Sequence, residues 1–489
     1  MTGLNEEREM TRNQRGLVDT CFEEGQYESG ITMLDHLRSS AFKPPLAHVR
    51  QLLYIALFPP APSEDRVNDR EQLPPSPIKG SPSKQKQFLP KTSFLPSTAA
   101  SEAAQRLLLS FASTNSPGSL LRALPSYPAT TAGVSNPQPE ASHDDLYDED
   151  SVISRQSLCI KDCRSSWTIL KEGFIQRKKL AKISQHGRKR RGKSVFDDDD
   201  DFLENGNNST PAIVADHAWP VLEWLVSLFE KDESMNSKKI STRFSPLLLS
   251  QLPPPRSGLG PRWEVDSPLD IILHCINQEQ SLRRTLGIRL LTLLINLSLS
   301  PDFDVNMFAG AVTIRLYSSS PQTIRTLISG LPKTTPVLTF KVALCQKYLS
   351  ASPADSSGTN VRRKPQARPA RRRSEATSAN GRPGNAQNGS PAATKPALPS
   401  CEEIFRLVTG DGDSQRSPSS PVFYMKYELL LAYALLQREA PADQKDGDWQ
   451  NALADGRLQH VVCAAFPSDG DDAVYQSILL TISSTWASG

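Results

Sequence analysis

Apolar side chains recur every three to four residues along much of the chain, which is the spacing of one face of an α-helix. The first run, residues 11–58, breaks into three stripes. Gly25 is placed to end the first helix, and Pro44 with Pro45 to begin the third. We therefore predict an N-terminal helical segment over residues 1–58. Its first stripe consists of Leu17, Val18, Cys21 and Phe22.

The strongest folding signal lies between residues 267 and 349, where helical stripes follow one another with short breaks at Pro, Gly or Ser. The run from 282 to 299 is apolar on nearly every side and predicts a central, buried helix. Upstream, Trp219 and Trp224 fall in an amphipathic stretch, which is typical of a well-packed core. These runs predict a central helical-repeat core over residues 209–350.

Helical spacing predicts two further parts that flank this core. Residues 151–175 are expected to form a helix that joins the core, because Cys163, Trp167 and Leu170 fall on one helical face. Residues 401–489 are expected to form a C-terminal helical cap, since terminal repeats of a stack need one polar outer face. The helical runs of the cap are residues 404–408, 423–436, 449–466 and 474–486.

Consecutive helices with short connections pack as antiparallel neighbours, and stacked pairs of this kind form armadillo-like and HEAT-like solenoids. Strand-like alternation is almost absent from the sequence. The predicted fold class is therefore all-α, an irregular armadillo/HEAT-like helical stack interrupted by long disordered inserts. No repeat of fixed length or signature occurs, so the prediction concerns architecture and names no family.

Composition separates three inserts from the helical parts. Residues 59–150 hold 14 prolines and end in acidic residues, which predicts a disordered Pro/Ser-rich linker. Within it, residues 101–112 predict a short helix that packs on the fold, stays unordered, or docks in a partner's groove. Residues 176–208 predict a disordered insert that is basic and then acidic. Residues 351–400 predict a disordered basic linker, with nine Lys or Arg against two acidic residues.

Charge, cysteine content and hydropathy narrow the class of protein. The formal net charge of the 489 residues is only +3, so the chain as a whole is not a polycation that coats nucleic acid. Its seven scattered cysteines do not form the framework of a secreted protein and favour a reducing compartment. No signal-peptide stretch is present, and the most apolar run, residues 286–299, is shorter than the roughly 20 residues that span a bilayer. We expect a soluble intracellular protein with no membrane partner.

The motifs of common catalytic, cofactor and metal sites are missing from the sequence. No phosphate-binding glycine loop, dinucleotide fingerprint or serine-hydrolase turn occurs, and the histidines are isolated from one another. Cys159 and Cys163 have helical spacing but lack further ligands, so we interpret them as buried apolar side chains. Asp411 and Asp413 lack the remaining ligands of a calcium loop and indicate a solvated turn. We predict a non-enzymatic protein without a cofactor.

Two basic clusters in the inserts each consist of two blocks. The first resembles a bipartite nuclear-import signal, whose extended backbone brings both blocks to an importin-type carrier. A solvated charge run or a contact with phosphates gives a similar pattern. Two such clusters in an intracellular protein predict nuclear localisation. The import-type cluster is Arg177, Lys178, Lys179, Arg188, Lys189, Arg190, Arg191 and Lys193; the second basic cluster is Arg362, Arg363, Lys364, Arg371, Arg372 and Arg373.

Four serines in the inserts are candidate phosphorylation sites. Ser76 and Ser81 each begin a Ser-Pro-x-Lys sequence favoured by cyclin-dependent kinases, and Ser374 follows three arginines. Ser194 precedes a run of aspartates, which suits an acid-directed kinase. Linkers rich in Pro and Ser also generate such matches through composition alone.

A phosphate on Ser194 would add about −1.5 to −2 charges beside the import-type cluster and weaken its contacts. Replacing Ser194 with Asp is therefore expected to lower nuclear accumulation, measured by imaging a fluorescently tagged chain. An unchanged distribution would contradict this regulation.

These features predict a nuclear scaffold or adaptor that binds partner proteins through a helical-repeat surface and is phosphoregulated through its inserts. Ser76 and Ser81 favour a role in cell-cycle-linked chromosome maintenance. The alternative is a nucleic-acid-associated factor of chromatin, transcription or ribosome assembly, in which residues 177–193 and 362–373 bind phosphates weakly and without reading sequence. Few aromatic residues accompany these basic residues, so stacking on single strands has little support.

Overall fold

A computed structural model of the chain describes residues 7–60, 95–127, 151–176, 211–237, 243–254, 263–350, 398–410 and 420–487. These residues are mostly helical, which confirms the all-α class. Within this part of the chain the strands are β1 (Arg8–Glu9) and β2 (Phe42–Lys43), which pair in parallel. The chain divides into two compact units, Met1–Phe303 and Asp304–Gly489.

The first unit holds helices α1 to α10. Their bounds are α1 (Arg12–Glu23), α2 (Tyr27–Leu37), α3 (Leu46–Ala56), α4 (Thr98–Thr114), α5 (Pro117–Leu121), α6 (Val152–Lys161), α7 (Trp219–Ser237), α8 (Pro246–Leu249), α9 (Asp266–Ile276) and α10 (Ser281–Asn296). Single 3-10 turns occupy Thr168–Leu170, Asp216–Ala218 and Leu297–Leu299.

Short polar side chains begin several of these helices. Thr11 and Gln14 form a capping box at the start of α1, and Ser97 accepts the backbone N–H of Ala100 at the start of α4. Gly25 follows α1 with a φ of 74°, a left-handed conformation that ends a helix and that glycine adopts without steric cost. The chain therefore turns from α1 directly into α2.

The core of the first unit forms around α3 and α7. Nine of the eleven residues of α3 are buried, and this helix packs against α4 and α6. Helix α7 contacts α4 on one side and α10 on another, with Trp224 fully buried. Helices α9 and α10 approach closely at Gly287, where an added Cβ atom would lie 2.7 Å from the Cβ of Cys275.

In the described part of the second unit, the helices are α11 to α18, and α13 packs against both α11 and α15. Their bounds are α11 (Val305–Leu316), α12 (Pro321–Gly330), α13 (Thr335–Ser350), α14 (Cys401–Thr409), α15 (Ser420–Glu439), α16 (Gly447–Ala454), α17 (Arg457–Ala465) and α18 (Ala473–Ala487), with a 3-10 turn at Ala442–Gln444.

Residues 95–127 belong to the helical structure, which differs from the prediction of a disordered linker over residues 59–150. The predicted short helix 101–112 is part of α4, which has 17 residues and buries Leu107, Leu108 and Phe111. This helix packs on α2, α3 and α7, so it is a core element rather than a free docking helix. The prediction of disorder relied on the average composition of residues 59–150. That average does not show the single amphipathic helix α4, which begins at its own serine cap, Ser97.

Two predicted helices are interrupted in the structure. In residues 151–175, α6 ends at Lys161, and Trp167 is buried in the irregular segment that follows. In residues 449–466, the helix breaks between α16 and α17 at Gly456, whose φ is 76°. Buried side chains three or four residues apart also occur in irregular segments, so spacing alone did not reveal either break.

The boundary between the two units lies at residues 303 and 304, inside the predicted core 209–350. The helices of residues 401–489 share a unit with α11 to α13, and α13 packs mainly on α15. Periodicity shows that each helix has an apolar face, but it does not show which faces meet. Residues 61–94, 128–150, 177–208 and 351–397 of the predicted inserts lie outside the described residues.

Candidate protein-binding groove

The sequence-predicted sites lie outside the part of the chain that the structure describes. This holds for every residue of the import-type cluster and of the second basic cluster. It also holds for Ser76, Ser81, Ser194 and Ser374. Their roles in import, phosphate binding and phosphorylation remain predictions.

Cys159 and Cys163 are half-buried thiols near the end of α6. Burial, with smaller effects from nearby charges, raises the pKa of both thiols to about 11, so they are protonated at neutral pH. The Cys163 thiol donates to the backbone oxygen of Ile160, at an Sγ–O distance of 2.9 Å. Among the described residues, no three His, Cys, Asp or Glu side chains come together as metal ligands. Asp411 and Asp413 lie outside these residues.

A stacked cluster joins α7, α9 and α10 of the first unit. The His274 ring stacks on the Trp219 ring with centroids 5.8 Å apart, and the Arg283 guanidinium lies 4.5 Å from the Trp219 centroid. Burial, together with the charge of Arg283, lowers the pKa of His274, which keeps the imidazole neutral at neutral pH. Trp219 is buried, whereas His274 and Arg283 are partly exposed, so the cluster lies at the edge of the core.

An open groove of about 580 Å³ lies on the outer face of α1 and α2. Its apolar lining consists of Leu17 from α1 and of Met33 and Leu37 from α2. Four polar side chains of α2 complete it: Glu28, Ser29, Thr32 and His36. Protein and ligand sites commonly combine an apolar floor with a few polar groups in this way.

The positions along α2 explain how the groove forms. Tyr27, Ile31 and Leu34 are buried and hold α2 on the core. Met33 and Leu37 are four residues apart, so they share the neighbouring helical face, where both side chains are only partly buried.

Close packing of α1 on α2 sets the position of the other groove wall. A Cβ atom on Gly30 would lie 2.6 Å from the Phe22 ring, so the glycine lets the two helices approach. Val18 and Phe22 point into the core, while Leu17 remains 57% exposed beside the groove. The sequence placed Leu17 in the buried stripe of α1, and the structure places it at the surface instead.

The groove has different polar groups at its two ends. Glu28 lies in the first turn of α2, and its Oε1 accepts a hydrogen bond from the Ser97 hydroxyl at 2.8 Å. His36 lies in the last turn, next to the ion pair of Asp35 and Arg38, whose N–O distance is 2.9 Å. A segment that binds in the groove therefore meets the Glu28 carboxylate at one end and the His36 imidazole at the other.

The second unit also exposes apolar side chains, but on helix ridges. Met307 and Ile314 of α11 are exposed, two turns apart on one face. Val474 and Ile478 of α18 form a similar short stripe. Each stripe belongs to a single helix, whereas the groove is lined by two helices.

A scan against models of protein families, a search of curated proteins and a search of solved structures found no match. No helix in the described ranges is both long and apolar enough to cross a membrane. We therefore infer function from the groove and from the sequence features.

Proposed function

We propose that this protein is a non-enzymatic nuclear scaffold or adaptor whose α1–α2 groove binds a short apolar segment of a partner protein. The observation that carries the proposal is the exposed Leu17 side chain beside Met33 and Leu37 in an open groove. Removing apolar surface from water is favourable by about 25 cal/mol per Å². Grooves of this kind between helices receive helical or extended peptide segments in many recognition domains.

The partner's chemistry follows from the lining. One or two large apolar side chains would fill the space between Leu17, Met33 and Leu37. The negative charge of Glu28 favours a Lys or Arg at the end of the segment that meets the start of α2. Such a pair of opposite charges fixes the orientation of the segment more than it adds affinity. Thr32 and Ser29 can supply hydrogen bonds to the partner backbone.

The wider architecture that we propose is an irregular armadillo/HEAT-like arrangement of helices. Its support is that consecutive helices pack as neighbours, α1 on α2 and α9 on α10. Helix pairs of this kind leave their outer faces free for partners.

In this proposal the inserts supply import and regulation. The import-type cluster binds an importin-type carrier, and phosphorylation of Ser76, Ser81, Ser194 and Ser374 changes the local charge. The paired Ser-Pro-x-Lys sequences support a cell-cycle-linked role in chromosome maintenance.

Replacing Leu17 with Glu is expected to remove the partners that use the groove. A carboxylate placed among apolar side chains has to be desolvated when a partner binds, so affinity should fall at least about tenfold. The fold should persist, because Leu17 is already exposed. The measurement is affinity purification of the full chain from nuclei, followed by binding assays with each purified protein that the variant loses.

The matched control is Leu282→Glu, which makes the same chemical change at a leucine of the same unit that is 80% exposed and lies outside the groove. We expect it to retain the wild-type partners. If both variants recover the same set of proteins, the groove is not the docking surface.

The alternative function is a nucleic-acid-associated factor, favoured by the two basic clusters in the inserts. Binding of this kind depends on phosphate neutralisation and falls steeply with salt. It does not involve Leu17. Nucleic-acid binding that Leu17→Glu leaves unchanged, with no protein partner lost, would support this alternative over the scaffold.

A further inference from the structure

The polar groups of the groove are spaced symmetrically along α2. Glu28 precedes Thr32 by four residues and His36 follows it by four, so the three side chains lie along one face of the helix. All three side chains are exposed. At 1.5 Å of rise per residue, the carboxylate and the imidazole are attached about 6 Å from Thr32 on either side.

A face with this spacing is complementary to itself. In a two-fold dimer the same patch of both copies meets, so each residue pair across the axis occurs twice. Two antiparallel α2 helices with the axis at Thr32 place Glu28 of each copy beside His36 of the other. An imidazole N–H donates to a carboxylate whether the ring is neutral or protonated, so both contacts are favourable.

This pairing is possible only between two molecules. Glu28 and His36 are eight residues apart on one helix, which corresponds to about 12 Å along its axis. The hydrogen bond that Glu28 accepts from the Ser97 hydroxyl does not prevent the contact, because a carboxylate accepts several hydrogen bonds.

The apolar lining of the groove lies beside this polar face. Leu17 is 57% exposed, and Met33 and Leu37 are partly exposed. In the same dimer, α2 of one copy lies along the groove of the other and removes these side chains from water. Two helices from each copy offer less area than the roughly 800 Å² per partner of a standard interface, so the dimer should be weak and reversible.

From this self-complementarity we propose that a second copy of the chain occupies the α1–α2 groove, with the two α2 helices antiparallel about a two-fold axis at Thr32. The inference rests on the proposed function and adds regulation to it. Both grooves are covered in the dimer, so a partner segment that needs Leu17 and Met33 competes with the second copy. Partner binding therefore weakens as the concentration of the chain itself rises.

The test uses the fact that a residue on a two-fold axis faces its own counterpart. Sedimentation equilibrium of the purified full chain at about 1–300 μM measures the dimer dissociation constant in the range of weak complexes. Thr32→Glu and Thr32→Lys each place two like charges together and should raise this constant at least about tenfold. An equal mixture of the two variants should form heterodimers at least as readily as the wild type dimerises.

The mixture also controls for damage to the fold. It contains the same two chains that fail to dimerise alone, so restored dimers cannot result from misfolding of either variant. Mixing Glu28→Lys with His36→Glu should restore dimers in the same way, because each heterodimer has an opposite-charge pair at one end and the wild-type pair at the other. Glu102→Lys changes an exposed glutamate of the same unit outside the groove and should leave the constant within about twofold.

Three results would overturn the inference. The first is a wild-type chain that stays monomeric at every concentration. The second is a dimer that the Thr32 variants leave unchanged, since its contact then lies on another face. The third is a pair of Thr32 variants that remain monomeric when mixed.

These outcomes are distinguishable from a failure of the proposed function. If Leu17→Glu loses partners in the nuclear purification but the pure wild-type chain is monomeric, the groove binds partners and the inference is wrong. If the Thr32 variants behave as expected but Leu17→Glu and Leu282→Glu retain the same other proteins, the groove holds a second copy and the proposed docking of a different protein is wrong.

Discussion

Replacing Lys341 with Met is expected to lower the free energy of unfolding of the second unit by about 3–5 kcal/mol. Lys341 of α13 and Glu428 of α15 form an ion pair with an N–O distance of 3.1 Å, and both side chains are less than a tenth exposed. Without the lysine, the carboxylate stays buried and uncompensated. Urea unfolding followed by circular dichroism measures the effect.

The hydrogen bonds around Glu428 explain why its charge depends on Lys341. The Tyr424 hydroxyl donates to the Glu428 Oε1 at 2.9 Å. Burial, and then the neighbouring carboxylate, raises the pKa of Tyr424, so the phenol stays neutral and leaves the negative charge of Glu428 unbalanced. Lys341 is thus the cation that balances this carboxylate across the α13–α15 contact.

The control is the double variant Lys341→Met with Glu428→Gln. It removes both charges and keeps an acceptor for the Tyr424 hydroxyl, so most of the lost stability should return. An exchange of a complete buried pair for neutral side chains is often close to neutral in free energy. If the single and the double variant are equally unstable, the unpaired charge is not the cause.

Replacing Trp167 with Ala is expected to cost the first unit about 3–5 kcal/mol. This side chain is 1% exposed, and its ring lies 6.1 Å from that of Phe229 on α7. Its Nε1 donates to the backbone oxygen of Gln251 at 3.1 Å, and the Ser166 hydroxyl bonds the side chain of the same glutamine. The substitution leaves a cavity and an unpaired carbonyl, which thermal and urea unfolding should detect.

Trp167→Phe separates the packing contribution from that of the hydrogen bond. It keeps most of the ring volume but removes the donor to Gln251, so its cost should be about 1–3 kcal/mol. A phenylalanine variant as unstable as the alanine variant would contradict this division. So would an alanine variant that unfolds like the wild type.

Helical period is a local property, and that is why the sequence predicted most helices of the fold. The stripe with Val18 and Phe22 is visible within a few residues, and both side chains are indeed buried. Leu17 carries the same apolar signal, yet it is exposed. The difference depends on which neighbours pack against α1, and no local spacing contains that information.

Pairings between distant residues were equally invisible to the sequence. Lys341 and Glu428 are separated by 87 positions, and each resembles an ordinary surface charge. Trp167 bonds Gln251 from an irregular segment that helical spacing had assigned to a helix. In contrast, Ser97 and the following apolar residues hold a local signal for α4 that the average composition of the linker concealed.

The candidate groove could have been suspected from the sequence of α2. This helix carries apolar residues on two neighbouring faces. Ile31 and Leu34 form the buried stripe, and Met33 and Leu37 lie beside it. A second apolar strip on a helix indicates a second contact. The open space beside it required the position of α1, which only the fold provides.

The central claim is that the α1–α2 groove docks a partner protein, and calorimetric titration of a purified partner against the full chain tests it most directly. We predict that the dissociation constant for Leu17→Glu is at least about tenfold above the wild-type value, while that for Leu282→Glu is unchanged. Equal dissociation constants for all three chains would contradict the claim.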